Sequence, residues 1–363
     1  MKPKVLFTDG EGPIVFKDLA ADMTEKTVPG LFPILSFYDD YLAEVGTEGY
    51  QAGDTLALIA PHLLAHGVTD EDVANEAKDA KVCLGVEEYI ADLRKDGWTI
   101  RIISTAYRQL WELVGKHIGV SMEDIACTIL DLASLRERFG QNGLFDTVLD
   151  AEKNILGLIP LANEAMKEVD QGKSVVEVLG QDSRFTPLLG VLDKLYWKEL
   201  PSKGYQTLEA VKVIGGKRKI EAAQKFAREL GVNLSDTVYV GDSITDDALH
   251  AKLSQEGGLP IAINGNFYAL RNARVAVAAK DMRRLRPVLD AWQMGGFEQV
   301  QRFVRLHGAS FSRAKESFPI PENPSGVRYD LIDPSDQERF KNVLSAHRDS
   351  RRLVRGAATA RLG

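Results

Sequence analysis

Cysteine is scarce in this chain, with only Cys83 and Cys127 among 363 residues. Neither sits in a CxxC pair or near a Cys/His spacing, which argues against a zinc centre and against a disulfide framework. Both read as reduced, buried thiols. Long apolar runs are also missing: no stretch reaches the ~20 residues a membrane span requires. At the N-terminus, Lys2 and Lys4 precede only Val5, Leu6 and Phe7 before Asp9, too short an apolar region for a signal peptide. The expectation is a cytoplasmic protein with no membrane partner. An excess of positive charge is lacking too. With 45 Lys and Arg against 52 Asp and Glu, the net charge of −7 gives no field that would attract nucleic acid. Internal repeats and low-complexity tracts are absent as well.

The composition that remains is that of a globular protein, 44% hydrophobic and 27% charged. The length exceeds what one hydrophobic core usually serves, so a catalytic domain with inserted modules is expected. Val5–Thr8 is a short apolar run ending in Asp9-Gly10-Glu11-Gly12-Pro13, a buried strand followed by a sharp loop. Similar strand–loop–helix units recur. One has a helix over Val86–Lys95, a strand over Thr99–Ile103, then Ser104-Thr105 and a helix over Tyr107–Ile118. The other has a helix over Lys219–Leu230, a strand over Thr237–Val240, the loop Gly241-Asp242-Ser243 and a helix over Asp246–Leu253, with further strands at Pro260–Ile263 and Val275–Ala278. Strands alternating with helices predict an α/β fold with a doubly wound parallel sheet. Residues 1–18, 82–149 and 201–292 are assigned to this core. Helical spacing over 19–81 and 150–200 predicts two helical insertions, and 293–363 a helical extension with a basic tail. A capping box of Ser335 with Glu338 is expected to open its last helix. The tail's Arg348, Arg351, Arg352, Arg355 and Arg361 read as a solvated, partly disordered end, with RNA or an anionic surface as the lesser alternative.

Carboxylates, a hydroxyl and a lysine fall at strand ends that converge on one sheet edge: Asp9 and Glu11, Ser104, then Asp242 and Asp246, with Lys217 and Lys219 opening the preceding helix. Each alone has a plainer explanation. Asp9-Gly10 is a common turn, Ser104 a common helix cap and Lys219 an ordinary solvated charge. Together they suit a divalent cation and a phosphoryl group. His62 and His66, four residues apart, read as packing or surface positions because no acid lies near them in sequence. The Phe37-Tyr38-Asp39-Asp40-Tyr41 cluster either faces substrate from a cap or is a helix surface with two core-facing aromatics.

In this order the four elements resemble the motifs of the haloacid dehalogenase (HAD) superfamily, closest in spacing to its phosphoserine-phosphatase-like members. The resemblance covers only the core, and it departs from the usual pattern at Glu11, which stands for Asp, and at Pro13, which stands for Thr or Val. It implies that Asp9 is the nucleophile, Glu11 the general acid/base, and Ser104 and Lys219 (preferred over Lys217) the phosphoryl-binding groups. It further implies Mg²⁺ held by Asp9, Asp242 and the Glu11 carbonyl, with Asp246 a direct or supporting member of the cluster. The activity implied is hydrolysis of a small phosphorylated metabolite through an aspartyl-phosphate, the helical insertions acting as caps. The alternatives are a phosphotransferase or mutase using the same intermediate, and a non-catalytic binding protein on the same fold. Nothing in the sequence names the substrate or the oligomeric state.

Overall fold

In the computed structural model, residues 2–140, 143–171, 173–308 and 327–355 are described. Seven strands form one sheet in the order β3-β2-β1-β4-β5-β6-β7: β1 Val5–Thr8, β2 Thr99–Tyr107, β3 Ile125–Thr128, β4 Val238–Gly241, β5 Leu259–Ile263, β6 Val275–Ala279 and β7 Val327–Leu331. All neighbours pair in parallel except β7, which runs antiparallel to β6. The parallel strands β1, β4, β5 and β6 are buried along their whole length, as unbroken apolar runs require when helices cover both faces. The doubly wound α/β sheet is therefore as the sequence predicts.

Two strands escaped the sequence reading. Ile125-Ala-Cys-Thr128 is too short to show a period, and β7 is a half-buried edge strand in the segment expected to be helical. The strand expected to stop at Ile103 runs on to Tyr107, so Ser104 lies within it. The chain winds outward from β1 to β2 and β3, then returns to β4 on the other side of β1. That reversal opens a crevice at the carboxyl ends of β1 and β4, where open α/β sheets receive ligands.

Between β1 and β2 lies a first helical set, Leu19–Thr27, Leu31–Glu44, Thr55–Ala65 and Asp70–Ala77, followed by the helix Val86–Lys95 that leads into β2. A second helical set, including Leu144–Gly157, Ile159–Asp170 and Thr186–Lys194, lies between β3 and β4. The two sets pack into one body. His62 Nδ1 lies 2.7 Å from Glu152 Oε1, its Nε2 lies 2.7 Å from the Tyr196 hydroxyl, and His66 Nε2 lies 2.7 Å from Glu152 Oε2. Tyr38 donates to Asp193 and accepts from the Trp197 indole at 2.7 Å. The acid that His62 and His66 lacked in sequence thus arrives from the second helical set, and His62 is fully buried.

The last helix, Gln337–Arg355, is capped differently from the expectation. The Asp336 carboxylate accepts from the Arg339 amide at 3.0 Å, while Ser335 turns back to Asp333. An ionised carboxylate is a strong cap and suits the positive end of the helix. Arg348 and Arg352 are exposed, but Arg351 is buried, contrary to a wholly solvated tail. Arg361 lies outside the described residues. No disulfide is formed among the described residues: Cys83 is buried, donating to the Gly12 carbonyl, whereas Cys127 is only half-buried. No helix among the described residues is long and apolar enough to cross a membrane.

Candidate active site

Asp9 follows β1 directly, and its amide still bonds to the Val240 carbonyl of β4 at 2.7 Å. The sheet therefore fixes its backbone at the crevice. The next turn is closed by bonds from the Ile14 and Val15 amides to the Gly10 carbonyl at 2.9 and 3.0 Å. Two glycines make this loop possible. A Cβ on Gly10 would lie 1.9 Å from the Trp111 ring and 2.8 Å from Ser104 Oγ. One on Gly12, at φ +105°, would lie 2.5 Å from the Asp242 carboxylate. The loop backbone is thus pressed against both neighbouring motifs.

Asp242 and Asp246 belong to the turn after β4, where Gly241 is equally confined, a Cβ there falling 2.5 Å from Asp246. Asp246 is fully buried and heavily engaged. Its Oδ1 accepts from Lys219 Nζ at 2.6 Å and from the Tyr239 hydroxyl at 2.5 Å, while its Oδ2 accepts from the Asp242 and Ser243 amides at 2.8 and 2.9 Å. Four donors on one carboxylate suit a group that builds the loop. Oxygens of Asp9, Asp242 and Asp246 lie within 4.8 Å of one another, the one such acidic group among the described residues.

Lys219 stands in the first turn of the helix Lys217–Leu230, fully buried, with Nζ 2.9 Å from Asp9 Oδ1 and 2.6 Å from Asp246 Oδ1. Lys217, one of the two candidates, points to solvent. Ser104 is fully buried in β2, its Oγ accepting from the Ala106 amide at 3.1 Å. Glu11 is half-buried at the rim, where Oε1 accepts from the Leu19 amide at 3.3 Å.

Burial and the neighbouring Asp246 charge push the Asp9 carboxyl up to about 7, against the pull of Lys219. Burial acts on Asp246 in the same sense, yet Lys219, His250 and the hydrogen bonds it accepts hold it down at about 2. Lys219 is kept charged by the two carboxylates despite its burial. The ion pair of this cluster is accordingly Lys219 with Asp246, and Asp9 is the carboxyl whose charge needs further compensation.

One cation was missed by sequence reasoning. Arg351, from the C-terminal helix, donates to Asp242 Oδ2 and, at 2.9 Å, to the Asp242 main-chain oxygen. Nothing local distinguishes it from the other arginines of a basic helix; its only signal is a position four residues after His347, on the helix face that is buried.

A pocket opens over Asp9 and Glu11 beneath the cap, lined there by Phe32, Ser36, Asp39 and Thr55. Of the aromatic-acidic cluster, Phe37 and Tyr38 are buried and Asp39 lines the pocket. The Asp39 carboxylate accepts from the Tyr50 hydroxyl at 2.6 Å and from the Gly53 and Thr55 amides at 3.0 and 3.1 Å, which shapes the pocket wall. Burial raises its pKa to about 6 against those bonds.

No family model matches the chain, and no curated protein matches it. Among solved structures, a gene product of Archaeoglobus fulgidus is 28% identical and shares the fold at a TM-score of 0.74, over 100% of this chain and 99% of that one. A substrate-bound phosphoserine phosphatase is similar at 15% identity and a TM-score of 0.46, over 79% of this chain and 98% of that one. A HAD family hydrolase from Salmonella enterica serovar Typhi is similar at 9% identity and a TM-score of 0.43, over 74% of this chain and 65% of that one. The mostly parallel sheet and the helical insertions of this chain are those that a resemblance to the HAD superfamily implies.

Proposed function

We propose that the chain is a magnesium-dependent phosphomonoester hydrolase of the HAD type, acting on a small phosphorylated metabolite through an aspartyl-phosphate on Asp9. One observation carries this reading: Asp9 and Asp242 leave adjacent parallel strands at the reversal of the sheet, with the Lys219 ammonium 2.9 Å from Asp9. Such an edge presents a carboxylate nucleophile beside groups that can neutralise a phosphoryl group.

The donor set fits a hard divalent cation, since buried carboxylate oxygens within 4.8 Å of one another are the ligands Mg²⁺ prefers. Asp9, Asp242 and the Glu11 carbonyl would hold it. Asp246, whose two oxygens already take four donors, supports the loop and Lys219 instead. Bound there, the cation would offset the repulsion between the attacking carboxylate and the phosphoryl oxygens.

In the proposed reaction, an Asp9 oxygen attacks phosphorus in line, the ester bond breaks, and Glu11 protonates the departing alkoxide. Glu11 then takes a proton from water, which attacks the acyl phosphate and frees phosphate and Asp9. Lys219 and Ser104 bind the equatorial oxygens throughout. The cap shields this exchange from bulk water and chooses the alcohol.

The test is phosphate release from an aryl phosphate and a panel of phosphorylated metabolites, with and without Mg²⁺. Magnesium-dependent release is the expected result. A folded, magnesium-binding protein that moves phosphate to a second alcohol without releasing it is instead a phosphotransferase. One that neither releases nor transfers phosphate is a binding protein.

A further inference from the structure

The helix Gln337–Arg355 packs Val343, with Phe340 and Leu344, into an apolar cluster with Ala262, Leu270 and Ala276, and its following turns are buried against the turn after β5. Three polar side chains make the contact. His347 Nδ1 accepts from the Gly265 amide at 3.0 Å, and Ser350 donates to Asn264 Oδ1 at 2.5 Å. Arg351 Nη1 also lies 3.5 Å from the Asn264 carbonyl. Asn264 is itself held in an uncommon conformation, φ 48°, by paired bonds between its amide and the backbone of Ala279 at 2.8 and 3.0 Å. The docking site therefore joins an apolar patch to a turn held by specific hydrogen bonds.

The contact delivers a guanidinium, 2% exposed, to the Asp242 side. One nitrogen of Arg351 donates to the main-chain oxygen and to the carboxylate of the same residue. Bonding both ends of Asp242 in this way restricts rotation of its side chain. The backbone of Gly12 closes the other side, where even a methyl group would collide with the carboxylate. A buried arginine costs free energy unless it is paired, so its presence in this spot calls for a role.

We propose that Arg351 is a positioning residue for the metal site, holding the Asp242 carboxylate in the orientation from which it shares a divalent cation with Asp9. The C-terminal helix is then a working part of the site. This rests on the reading of the cluster as a magnesium site. Two effects of opposite sign are in play: the guanidinium orients the ligand, but its charge repels the cation. Loss of a group that orients a metal ligand typically weakens binding ~10–100-fold, whereas loss of a repelling charge would tighten it.

The test is titration of the full-length protein with MgCl₂ by calorimetry, for wild type, Arg351→Met, Arg351→Lys and Ser350→Ala, each checked for folding by circular dichroism. Arg351→Met keeps the volume and is expected to bind Mg²⁺ ~10–100-fold more weakly. Arg351→Lys, a point charge without the planar fork, should recover part of that loss. Ser350→Ala, which breaks the neighbouring contact of the same helix, should stay within about twofold of wild type. In turnover, Arg351→Met should need more Mg²⁺ while regaining most of its kcat at saturation. Unchanged or tighter binding in Arg351→Met overturns the proposal. Should that variant fail to fold, Arg351→Lys is read alone, with about three- to tenfold weaker binding expected and wild-type affinity overturning the idea. A wild type that binds no Mg²⁺ removes the phosphohydrolase reading along with this one; wild-type binding with an unaffected Arg351→Met removes this one alone.

Discussion

The sheet edge and the cap both bury carboxylates, and they compensate them in different ways. At the edge, Asp9, Asp242 and Asp246 face one another and the protein supplies full charges, Lys219 and Arg351. In the cap, Asp39 is held by a phenol and two amides, and Glu152 by the imidazoles of His62 and His66. Asp39 and Glu152 are each satisfied by hydrogen bonds where they sit. The edge acids are crowded, and burial leaves the Asp9 carboxyl raised to about 7. Crowding of like charge is what a structural cluster avoids and a phosphoryl-transfer site exploits. Substitutions at the edge should therefore be read in turnover, and those in the cap in stability.

The largest effect is expected at Asp9. Asp9→Asn should lower phosphate release by at least ~10³-fold, the scale seen when a nucleophile is removed. Its melting temperature should equal or exceed that of wild type, because a neutral group relieves a carboxylate that the fold already disfavours. A stable loss of activity would sharpen the contrast with the cap, whereas unfolding would erase it.

Lys219→Met should be next, costing ~10²–10³-fold in turnover from the lost phosphoryl contact. It should also cost ~3–5 kcal/mol in urea denaturation, because Asp246 would be left buried without its cation. An effect on rate with full stability would mean that Asp246 finds another partner.

In the cap, Glu152→Gln should cost ~1–3 kcal/mol by weakening the bridge between the two helical sets. Turnover on an aryl phosphate should stay within a few-fold of wild type, measured below the melting temperature. A drop of the size seen at Lys219 would break the division between the regions.

At neutral pH the smallest effect is that of His347, which shows as a slope. His347 is buried, and burial together with Arg328 depresses its pKa to about 3, from an ordinary value near 6.5. Between those values the unfolded chain binds a proton that the folded chain refuses. Stability from this residue is therefore complete above about pH 6.5 and falls as the pH drops, by ~1.4 kcal/mol per unit for one proton. His347→Asn, which keeps an acceptor for the Gly265 amide, should flatten the stability curve by that slope over the window. Parallel curves for the two proteins would show that the ring is protonated while docked.

The contrast between the regions also explains what could be read from the sequence. Asp9, Ser104, Lys219, Asp242 and Asp246 stand at fixed offsets from apolar strands or from a helix start, so local pattern and strand order suffice to bring them to one edge. The cap offers no such rule: Glu152 reaches His62 across 90 positions and Asp193 reaches Tyr38 across 155. Arg351 reaches Asp242 across 109, on a helix whose buried face changes from apolar Val343 to polar His347 and Ser350. Long-range polar pairs leave no local periodicity, and a buried arginine looks in sequence like its exposed neighbours Arg348 and Arg352.

The proposed chemistry turns on a covalent phosphoryl group on Asp9. It is tested most directly by mixing the enzyme with an aryl phosphate and Mg²⁺, quenching in acid within one turnover and mapping peptides by mass spectrometry. The expected result is one added phosphoryl group on the peptide carrying Asp9, absent without Mg²⁺ and absent in Asp9→Asn. Phosphate released in step with alcohol from the first turnover, with no modified peptide or with the label on another residue, would contradict it.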